Sequence, residues 1–598
     1  MGRRSKAATL IAGTLTAIGA LAPSAMAFDP AVEAMNFSKG NERSTIYNTP
    51  AYQALLRQVS VQNAAAAAII NATDPEREFR DHLCQDGQDG CAGDVRLYDW
   101  QAKGYGIVEP VLFTARSGAT ISGHVWATKA GPAKRPGIVI TNGSVQADEQ
   151  LYWFAAQALA KAGYVVLTSD PQGQGQSDTP GEAPDTTEGV PAQSDGRPFF
   201  DGTVDALDFF FSTPAKPFAP RKSCESGTVH SAKQDRRVKA GLNAAFNPFH
   251  ALLDTARVGL AGHSFGAAGV SYVAQADPRV KAVVAWDNLG GTDPNAPVAG
   301  ALRVKPCPKG DAHARKVVPI TKPGLGLSAD YFIPPTPNTG DPDPKAKSTQ
   351  SFAYSKAGVD TGQLVIRGGS HFDFDWIPNM GFPATLRGAD LIAWYTNAWM
   401  DKYVKGDPTA DERLLSDRWR RDAAEGAIDP TGDPNMWSFY YPSRLDVHRA
   451  NGVRFTCESL RPGCAGLVPR SADGVPGEFD YAKLDTSKDG PATTAAVPAQ
   501  PTGLPQRSAN RCTSRRTIVL HARRVRGIRV SRVEARVGKR VVGRARTSRI
   551  TVRLAGLPKR RAKVVLQLTG RRAGRTVRVT QVRSFRTCAA KAKAKAGR

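Results

Sequence analysis

Arg257-Val-Gly-Leu-Ala-Gly-His-Ser-Phe-Gly-Ala-Ala-Gly269 is the stretch of this 598-residue chain that decides its fold. A short apolar strand, 258–261, runs into Gly262-His-Ser-Phe-Gly266, and the small residues of 267–274 predict a helix behind the turn. Both glycines are needed, because larger side chains there would collide with the strand and the helix. The pattern predicts a nucleophile elbow with Ser264 as the nucleophile, and the flanking strand and helix disfavour the alternative of a tight turn with an inert serine.

Strands and helices alternate on both sides of this turn. An antiparallel pair opens the series, and the later apolar stretches indicate a mainly parallel sheet with helices on both faces. The predicted class is therefore α/β. The predicted strands are 107–113, 120–126, 137–141, 164–169, 258–261, 280–286, 325–329 and 364–367, and the predicted helices are 151–162, 203–212 and 389–404.

The nucleophile needs a base, because a serine hydroxyl attacks poorly unless its proton is taken. The chain has nine histidines. His371 is the candidate, since it directly follows the buried strand in Gln363-Leu-Val-Ile-Arg-Gly-Gly-Ser-His371 and lies downstream of Ser264. We reject His263 as the base, because its position within the elbow points its side chain away from the nucleophile.

A carboxylate must orient the histidine and stabilise the imidazolium. Asp330 is the preferred acid, because it ends a strand between the serine and the histidine and completes the chain order serine, acid, histidine. Asp287, at the end of the preceding strand, is the alternative. Asp373 and Asp375 are less suitable, since they lie too near His371 in sequence to reach its far nitrogen from a separate strand.

Two backbone N–H groups must bind the oxyanion of the tetrahedral intermediate. Phe265 directly follows the nucleophile and is predicted to supply the first. The second is expected from the loop after strand 137–141, Asn142-Gly-Ser144, where we prefer Ser144 over Gly143. The alternative is that this Asn-Gly pair only forms a turn.

Residues from about 105 to 405 resemble the α/β-hydrolase superfamily, with Gly262-His-Ser-Phe-Gly266 as the elbow and Asp170-Pro-Gln-Gly-Gln-Gly-Gln-Ser177 similar to the loop after the fourth strand. Asp330-Tyr-Phe-Ile-Pro334 and Ser370-His-Phe372 are similar to the acid and histidine segments of bacterial cutinases and polyester hydrolases, and also to those of dienelactone-hydrolase-like esterases. The resemblance implies a serine hydrolase that cleaves carboxylic esters through an acyl-enzyme. Such a reaction needs no metal or organic cofactor.

The N-terminus predicts an exported protein. Arg3, Arg4 and Lys6 precede a short apolar run, and Ala25-Met-Ala27 is typical of a cleavage site, so residues 1–27 are predicted to be a signal peptide. A membrane anchor is the disfavoured alternative, because the run is short for a span. We expect a secreted or cell-surface protein with no transmembrane segment after maturation.

The eight cysteines suit export, with Cys84 near Cys91, Cys457 near Cys464, Cys512 and Cys588 bracketing one segment, and Cys224 and Cys307 completing an even set.

Composition divides the mature chain into five parts: a polar helical extension (28–96), the α/β-hydrolase domain (97–410), an extension that the pattern does not classify (411–485), a linker rich in Pro, Ala and Thr (486–510), and a β domain rich in arginine (511–598). The hydrolase domain carries two inserts, 216–250 and 333–355. Each insert either borders the active site or is a surface excursion without contact to substrate.

The charge of the chain is concentrated at its C-terminal end. Residues 511–598 hold 29 Lys and Arg against the single acid Glu534, which makes this segment +28 and, with +26 overall, leaves −2 for the rest. Alternating polarity predicts a small β sandwich that faces its arginines outward. An anionic cell-wall or extracellular polymer is the expected partner. Phe585 is the segment's only aromatic residue, so we expect no specific nucleic acid.

Two alternatives to ester hydrolysis stay open. An acyltransferase would use the same acyl-enzyme with an alcohol as acceptor in place of water. A surface-binding protein would keep the hydrolase scaffold without its activity. For the basic segment, the alternative to polymer binding is that its charge serves solubility alone.

Overall fold

The computed structural model describes residues 29–44, 50–78, 92–98, 100–102, 104–144, 148–297, 303–310, 315–331, 336–376, 384–418, 435–469, 517–522, 528–538, 540–553, 561–572 and 575–586. The chain divides into two compact units, Met1–Thr493 and Thr494–Arg598. The predicted signal peptide, the Cys84 and Cys91 pair, the linker, and the Cys512 and Cys588 pair lie outside the described residues.

A ten-stranded sheet forms the centre of the first unit. Its order is β1-β2-β4-β3-β5-β6-β7-β8-β10-β11, and every pairing from β4 through β3 to β8 is parallel. The α/β class with a mainly parallel sheet is therefore confirmed. The strands are β1 (Gly106–Thr114), β2 (Thr120–Thr128), β3 (Arg135–Thr141), β4 (Val165–Ser169), β5 (Leu253–His263), β6 (Val280–Trp286), β7 (Gly324–Tyr331), β8 (Thr361–Ser370), β10 (Arg444–His448) and β11 (Arg454–Cys457), while β9 (Ser416–Asp417) pairs with β12 (Val468–Pro469).

Helices cover both faces of this sheet because its central strands are apolar on both sides. Ile138 and Ile140 of β3 belong to the core with α3 and α9, whereas Val139 between them belongs to the core with α5 and α7. The described helices are α1 (Pro30–Ser44), α2 (Pro50–Thr73), α3 (Trp153–Lys161), α4 (Ala192–Asp195), α5 (Arg197–Phe210), α6 (Ser231–Lys239), α7 (Phe265–Ala276), α8 (Thr349–Lys356), α9 (Leu386–Met400) and α10 (Ala410–Leu414). Among the described residues, no helix is both long and apolar enough to cross a membrane.

The unclassified extension 411–485 contributes to the sheet. Its strand β10 pairs antiparallel with β8, and β11 pairs with β10 and forms the edge. Leu445 and Val447 are buried in the core shared with α3 and α9. Alternating short strands of this kind carry a weak periodic signal, which is why the sequence pattern left them unassigned.

Two disulfides lie within the described residues. One joins Cys457 to Cys464, as their close spacing predicts, and the other joins Cys224 to Cys307 across 83 residues. Cys224 lies in the insert 216–250, which packs on β1 through α6 and through a hydrogen bond from Ala244 N to Leu112 O of 2.8 Å. This insert therefore packs against the edge strand β1 of the sheet.

The second unit is a small all-β fold. A four-stranded antiparallel sheet has the order β15-β14-β17-β18, and a two-stranded sheet pairs β13 with β16. Buried apolar side chains such as Val533, Leu566 and Ile550 form its core. The strands are β13 (Thr517–His521), β14 (Arg529–Val537), β15 (Arg540–Ala545), β16 (Arg549–Arg553), β17 (Arg561–Arg572) and β18 (Arg575–Arg586).

Candidate active site

Ser264 lies on a strained turn between β5 and α7. Its φ is 56° and its ψ is −119°, a conformation that L residues rarely adopt. The turn is tight on both sides: a Cβ at Gly262 would lie 2.7 Å from the carbonyl oxygen of Gly266, and a Cβ at Gly266 would lie 2.3 Å from that of Asn142. Glycine is therefore required at both positions. The geometry lifts the serine out of the strand at the N-terminus of a helix, where the helix dipole favours negative charge.

Phe265 begins α7, so its backbone N–H is among the first helical N–H groups, which have no partner within the helix. Its side chain is buried and stacks on Phe199 of α5 with the ring centroids 4.7 Å apart. The residue after the nucleophile thus packs into the core while its N–H stays at the turn, which is the position that an oxyanion donor requires.

His371 directly follows β8 and is held by a network around Asp373. Ser370 N–H donates to Asp373 Oδ2 at 2.8 Å, and the N–H and hydroxyl of Thr385 donate to Asp373 Oδ1 at 2.8 and 2.7 Å. Thr385 caps the N-terminus of α9. Asp373 therefore ties the histidine turn to that helix, and its carboxylate is engaged there rather than with the imidazole.

Asp287 is the carboxylate that meets His371. Its Oδ2 accepts from His371 Nδ1 at 2.5 Å, and its Oδ1 accepts from the hydroxyl of Ser328 at 2.6 Å. Asp287 directly follows β6, and its own φ of 50° turns the chain away from the strand. Burial raises the pKa of Asp287, but the hydrogen bond and charge of His371, then the charge of Lys347, outweigh this and lower it to about 2.

The preference for Asp330 over Asp287 is corrected by this geometry. Asp330 Oδ2 accepts from Arg367 Nη1 at 2.9 Å and from Gly368 N at 2.8 Å, and its Oδ1 accepts from Ser438 Oγ at 2.6 Å. Both carboxylate oxygens are thus bound by partners other than His371. Asp330 lies inside this strand, whereas Asp287 stands just past the end of the neighbouring strand. The carboxylate beyond the strand end is the one that reaches the histidine turn.

The loop Asn142-Gly-Ser144 packs directly on the elbow. A Cβ at Gly143 would lie 2.9 Å from His263 Nδ1 and 3.0 Å from Ser264 Cβ, so only glycine fits. The Gly143 N–H donates to the hydroxyl of Tyr152 at 2.9 Å, which commits that donor. The Gly143 carbonyl accepts from Gln174 Nε2 at 2.8 Å. The structure therefore places Gly143 beside Ser264 with its N–H bound to Tyr152, and Ser144 stays the predicted second donor.

His263 and Tyr152 contact the loop Asn142-Gly-Ser144 and hold it in place. Burial and the neighbouring His371 charge lower the pKa of His263 well below its usual value, so the ring is neutral. Burial raises the pKa of Tyr152 well above its usual value, so the phenol keeps its proton. The Tyr152 hydroxyl accepts from the Gly143 N–H and shares a second hydrogen bond of 2.8 Å with His263 Nδ1. His263 is thus a partner of the oxyanion loop, and no pattern in the sequence singled out Tyr152.

Replacing Tyr152 by phenylalanine should lower kcat about 10- to 100-fold for an ester substrate and change KM little, because an oxyanion site acts in the transition state. The substitution removes the acceptor of the Gly143 N–H and leaves that buried donor unpaired. Steady-state kinetics measure the effect. Tyr164→Phe is the matched control, since Tyr164 is equally buried and donates to Asp401 at 2.8 Å. An equal loss of kcat in both variants contradicts the role assigned to Tyr152.

One group in the described part of the chain brings three potential metal-binding side chains together: Asp201, Cys224 and Cys307. The two cysteines form a disulfide, so neither offers a thiolate. This group does not fit a metal ion.

The sheet, the helices on both of its faces and the serine on the strand-to-helix turn are those of the α/β-hydrolase fold. Residues 123–307 match the family model of the dienelactone hydrolase family, which belongs to that superfamily and confirms the resemblance. The match indicates hydrolase activity of the α/β-hydrolase type. The matched segment contains the elbow, the 142–144 loop and Asp287, while His371 lies beyond it. No curated protein matches the chain.

Proposed function

We propose that the protein is an exported serine hydrolase that cleaves carboxylic esters through an acyl-enzyme. The observation that carries the proposal is the 2.5 Å contact between His371 Nδ1 and Asp287 Oδ2, beside the strained turn of Ser264. The ring centroids of His371 and His263 are 4.3 Å apart, which brings the imidazole next to the residue that precedes the serine. Nucleophile, base and acid thus come from three separate strand ends.

The proposed reaction has two halves. His371 takes the proton of Ser264 as the Oγ attacks the ester carbonyl, and the Phe265 and Ser144 N–H groups bind the resulting oxyanion. The intermediate expels the alcohol, which receives the proton from His371, and leaves an acyl group on Ser264. Water then attacks the acyl-enzyme with His371 as base, the second intermediate breaks its bond to Ser264 Oγ and releases the acid, and His371 returns the proton to Ser264. Asp287 holds the imidazole in the correct tautomer and stabilises its charged form throughout.

Export is supported by two features. Residues 1–27 have the order of a signal peptide, and the two disulfides suit an oxidising compartment. Labelling the N-terminus of protein recovered from culture medium tests export: the proposal expects a chain that begins at Phe28, and a chain retained in the cell with Met1 contradicts it.

A panel of p-nitrophenyl esters of increasing acyl length tests the activity, together with a fluorophosphonate probe that labels activated serines. The wild-type protein should hydrolyse at least one ester and take up one probe at Ser264, and Ser264→Ala should lose both. Absence of labelling in the folded wild-type protein favours a binding protein on a hydrolase scaffold. Release of product only when an alcohol acceptor is added favours acyl transfer.

We further propose that the second unit binds an anionic cell-wall or extracellular polymer through one face of its larger sheet. The cross-strand register places Arg532, Thr569 and Arg578 in one row on this face, and both arginines are exposed. Lys563 and Arg571 are exposed on the same face of β17. The face's one acid, Glu534, already pairs with Arg532, Arg536 and Arg544, so its charge is neutralised locally. Regularly spaced cations on a flat sheet suit a polymer with repeated negative charges.

Arg532→Gln/Arg578→Gln in the full chain should elute from immobilised polygalacturonate at clearly lower salt than the wild type, because two contacts to the polyanion are lost. Activity on a small ester should stay unchanged. Arg546→Gln/Arg549→Gln is the matched control, since it removes the same charge from exposed positions at the β15–β16 turn and the start of β16. If both double variants elute at the same salt concentration, net charge alone explains retention and the face has no special role.

A further inference from the structure

A buried row of charged side chains crosses the carboxyl ends of β6, β7 and β8. Asp287 follows β6, Asp330 lies in β7 and Arg367 lies in β8. Lys347 enters the row from the insert 333–355, and Glu33 enters it from α1. All five residues are at least nine-tenths buried. From the active-site histidine outward, the order is His371, Asp287, Lys347, Asp330, Arg367 and Glu33, so the signs of these groups alternate when each is charged.

Lys347 is bound to β7 next to Asp330 and one residue from Ser328, which contacts Asp287. Its Nζ donates to the carbonyl oxygen of Ala329 in β7. Ala329 stands between Asp330 and Ser328, and the Ser328 hydroxyl donates to Asp287. The ammonium also lies 4.9 Å from the ring centroid of Tyr441, which closes the site on the other side. The insert thus reaches the active-site end of the sheet and leaves one buried cation there.

The electrostatics agree with this placement. Burial lowers the pKa of Lys347, and the charges of Asp287 and then Asp330 oppose that change. The reciprocal effect is present on Asp287, where the Lys347 charge helps to lower the pKa of the carboxyl after the larger contributions of burial and His371. Burying a cation costs free energy unless nearby carboxylates compensate its charge, and Asp287 and Asp330 are the carboxylates near Lys347.

Glu33 is the last residue of the row, at the end away from His371. Its carboxylate accepts from both terminal nitrogens of Arg367, at 3.1 and 2.9 Å, and from the hydroxyls of Tyr331 and Tyr440. Burial raises the pKa of Tyr331, Tyr440 and Tyr441, so these three phenols facing the row stay neutral. Arg367 is therefore balanced by Asp330 and Glu33, and Lys347 adds to His371 as a cation that acts on Asp287. Two further buried groups face the Asp287–His371 pair: Asp375, whose pKa is raised by burial and then by the charges of Asp373 and Asp287, and His263, whose pKa is lowered by burial and then by the charge of His371.

We propose that Lys347 is a positioning residue for the ester hydrolysis, and that its ammonium stabilises the ionised Asp287 and disfavours premature protonation of the Asp287–His371 pair. The inference rests on the proposed function, because the pair must act as base for the effect to be seen. Removing a positive charge makes it easier to protonate both the carboxylate and the imidazole. The acid limb of the kcat/KM profile should therefore move to higher pH when Lys347 is neutralised.

Two substitutions separate charge from hydrogen bonding. Lys347→Gln removes the charge and keeps a donor for the Ala329 carbonyl, whereas Lys347→Met removes both. Both variants should shift the acid limb of kcat/KM upward by about 0.5 to 1 pH unit. Lys347→Arg, which keeps the charge, should restore the wild-type limb. Lys345→Met is the matched control, because Lys345 is exposed two residues earlier in the same segment and should leave the profile unchanged.

The pH dependence of fluorophosphonate labelling at Ser264 is measured alongside, since it reports the attack step without an ester substrate. A wild-type acid limb in folded Lys347→Gln, with Ser264 still labelled, overturns the role of Lys347 and leaves the proposed function standing. Failure of wild-type protein to label at Ser264 overturns the proposed function instead. If Lys347→Met does not fold, the acid limb of the Lys347→Gln profile alone tests the role of Lys347.

Discussion

Replacement of His371 by alanine is expected to lower kcat for a p-nitrophenyl ester by roughly 10⁴- to 10⁶-fold, as removal of the base does in enzymes whose serine and histidine act as a unit. In the proposed mechanism, the imidazole carries the proton in both half-reactions. Its Nδ1 is held by Asp287 at 2.5 Å, so the ring is oriented before substrate binds. The measurement is kcat and KM at the plateau of the pH profile.

The double variant Ser264→Ala/His371→Ala should be little slower than either single variant, because the two groups perform one step together. His448→Ala is the control, since His448 is half exposed and pairs with Asp360 away from the elbow. Additive losses in the double variant would falsify the joint role of Ser264 and His371.

Asp287→Asn is expected to lower kcat about 10⁴-fold, because an amide cannot stabilise the imidazolium and favours the wrong tautomer. Asp330→Asn should retain kcat within about 10-fold, since its carboxylate binds Arg367 and Ser438 rather than the histidine. The pair is closely matched: both aspartates are buried at the carboxyl ends of adjacent strands. Kinetics of the two variants side by side decide between them.

The cost of Asp330→Asn should appear in stability instead. Weakening a buried contact of Arg367 should reduce the free energy of unfolding by about 2 to 4 kcal/mol, measured by urea denaturation. Arg367 keeps its contacts with Glu33, which limits the loss. A large fall in kcat for Asp330→Asn, with Asp287→Asn nearly active, would restore the acid that the sequence pattern preferred.

The elbow and the parallel sheet could be predicted because both depend on local rules. The two glycines around Ser264 are required by atoms within the turn and its neighbouring loop, and the buried strands are continuous apolar runs. The same reasoning correctly placed His371 just after β8.

The acid was mispredicted because chain order and strand ends fit both aspartates equally well. What separates them is their pairing: Asp330 meets Arg367 on the neighbouring strand, and that guanidinium is shared with Glu33, which is 334 residues away. Tyr152 illustrates the same limit, since its partner His263 is 111 residues distant. Contacts of this range depend on how the sheet and its helices pack, and no local pattern reveals them.

The disulfide between Cys224 and Cys307 encloses Ser264, all of α7 and Asp287 in one covalent ring, while His371 lies outside it. A ring spanning 83 residues denies the denatured chain many of its extended conformations, a contribution of about 4.5 kcal/mol in the chain-entropy treatment. The segment that carries two members of the proposed triad thus stays closed into a ring even when the protein unfolds. In a thiol-rich compartment this ring would open, so the durability of the hydrolase depends on the redox state of its surroundings.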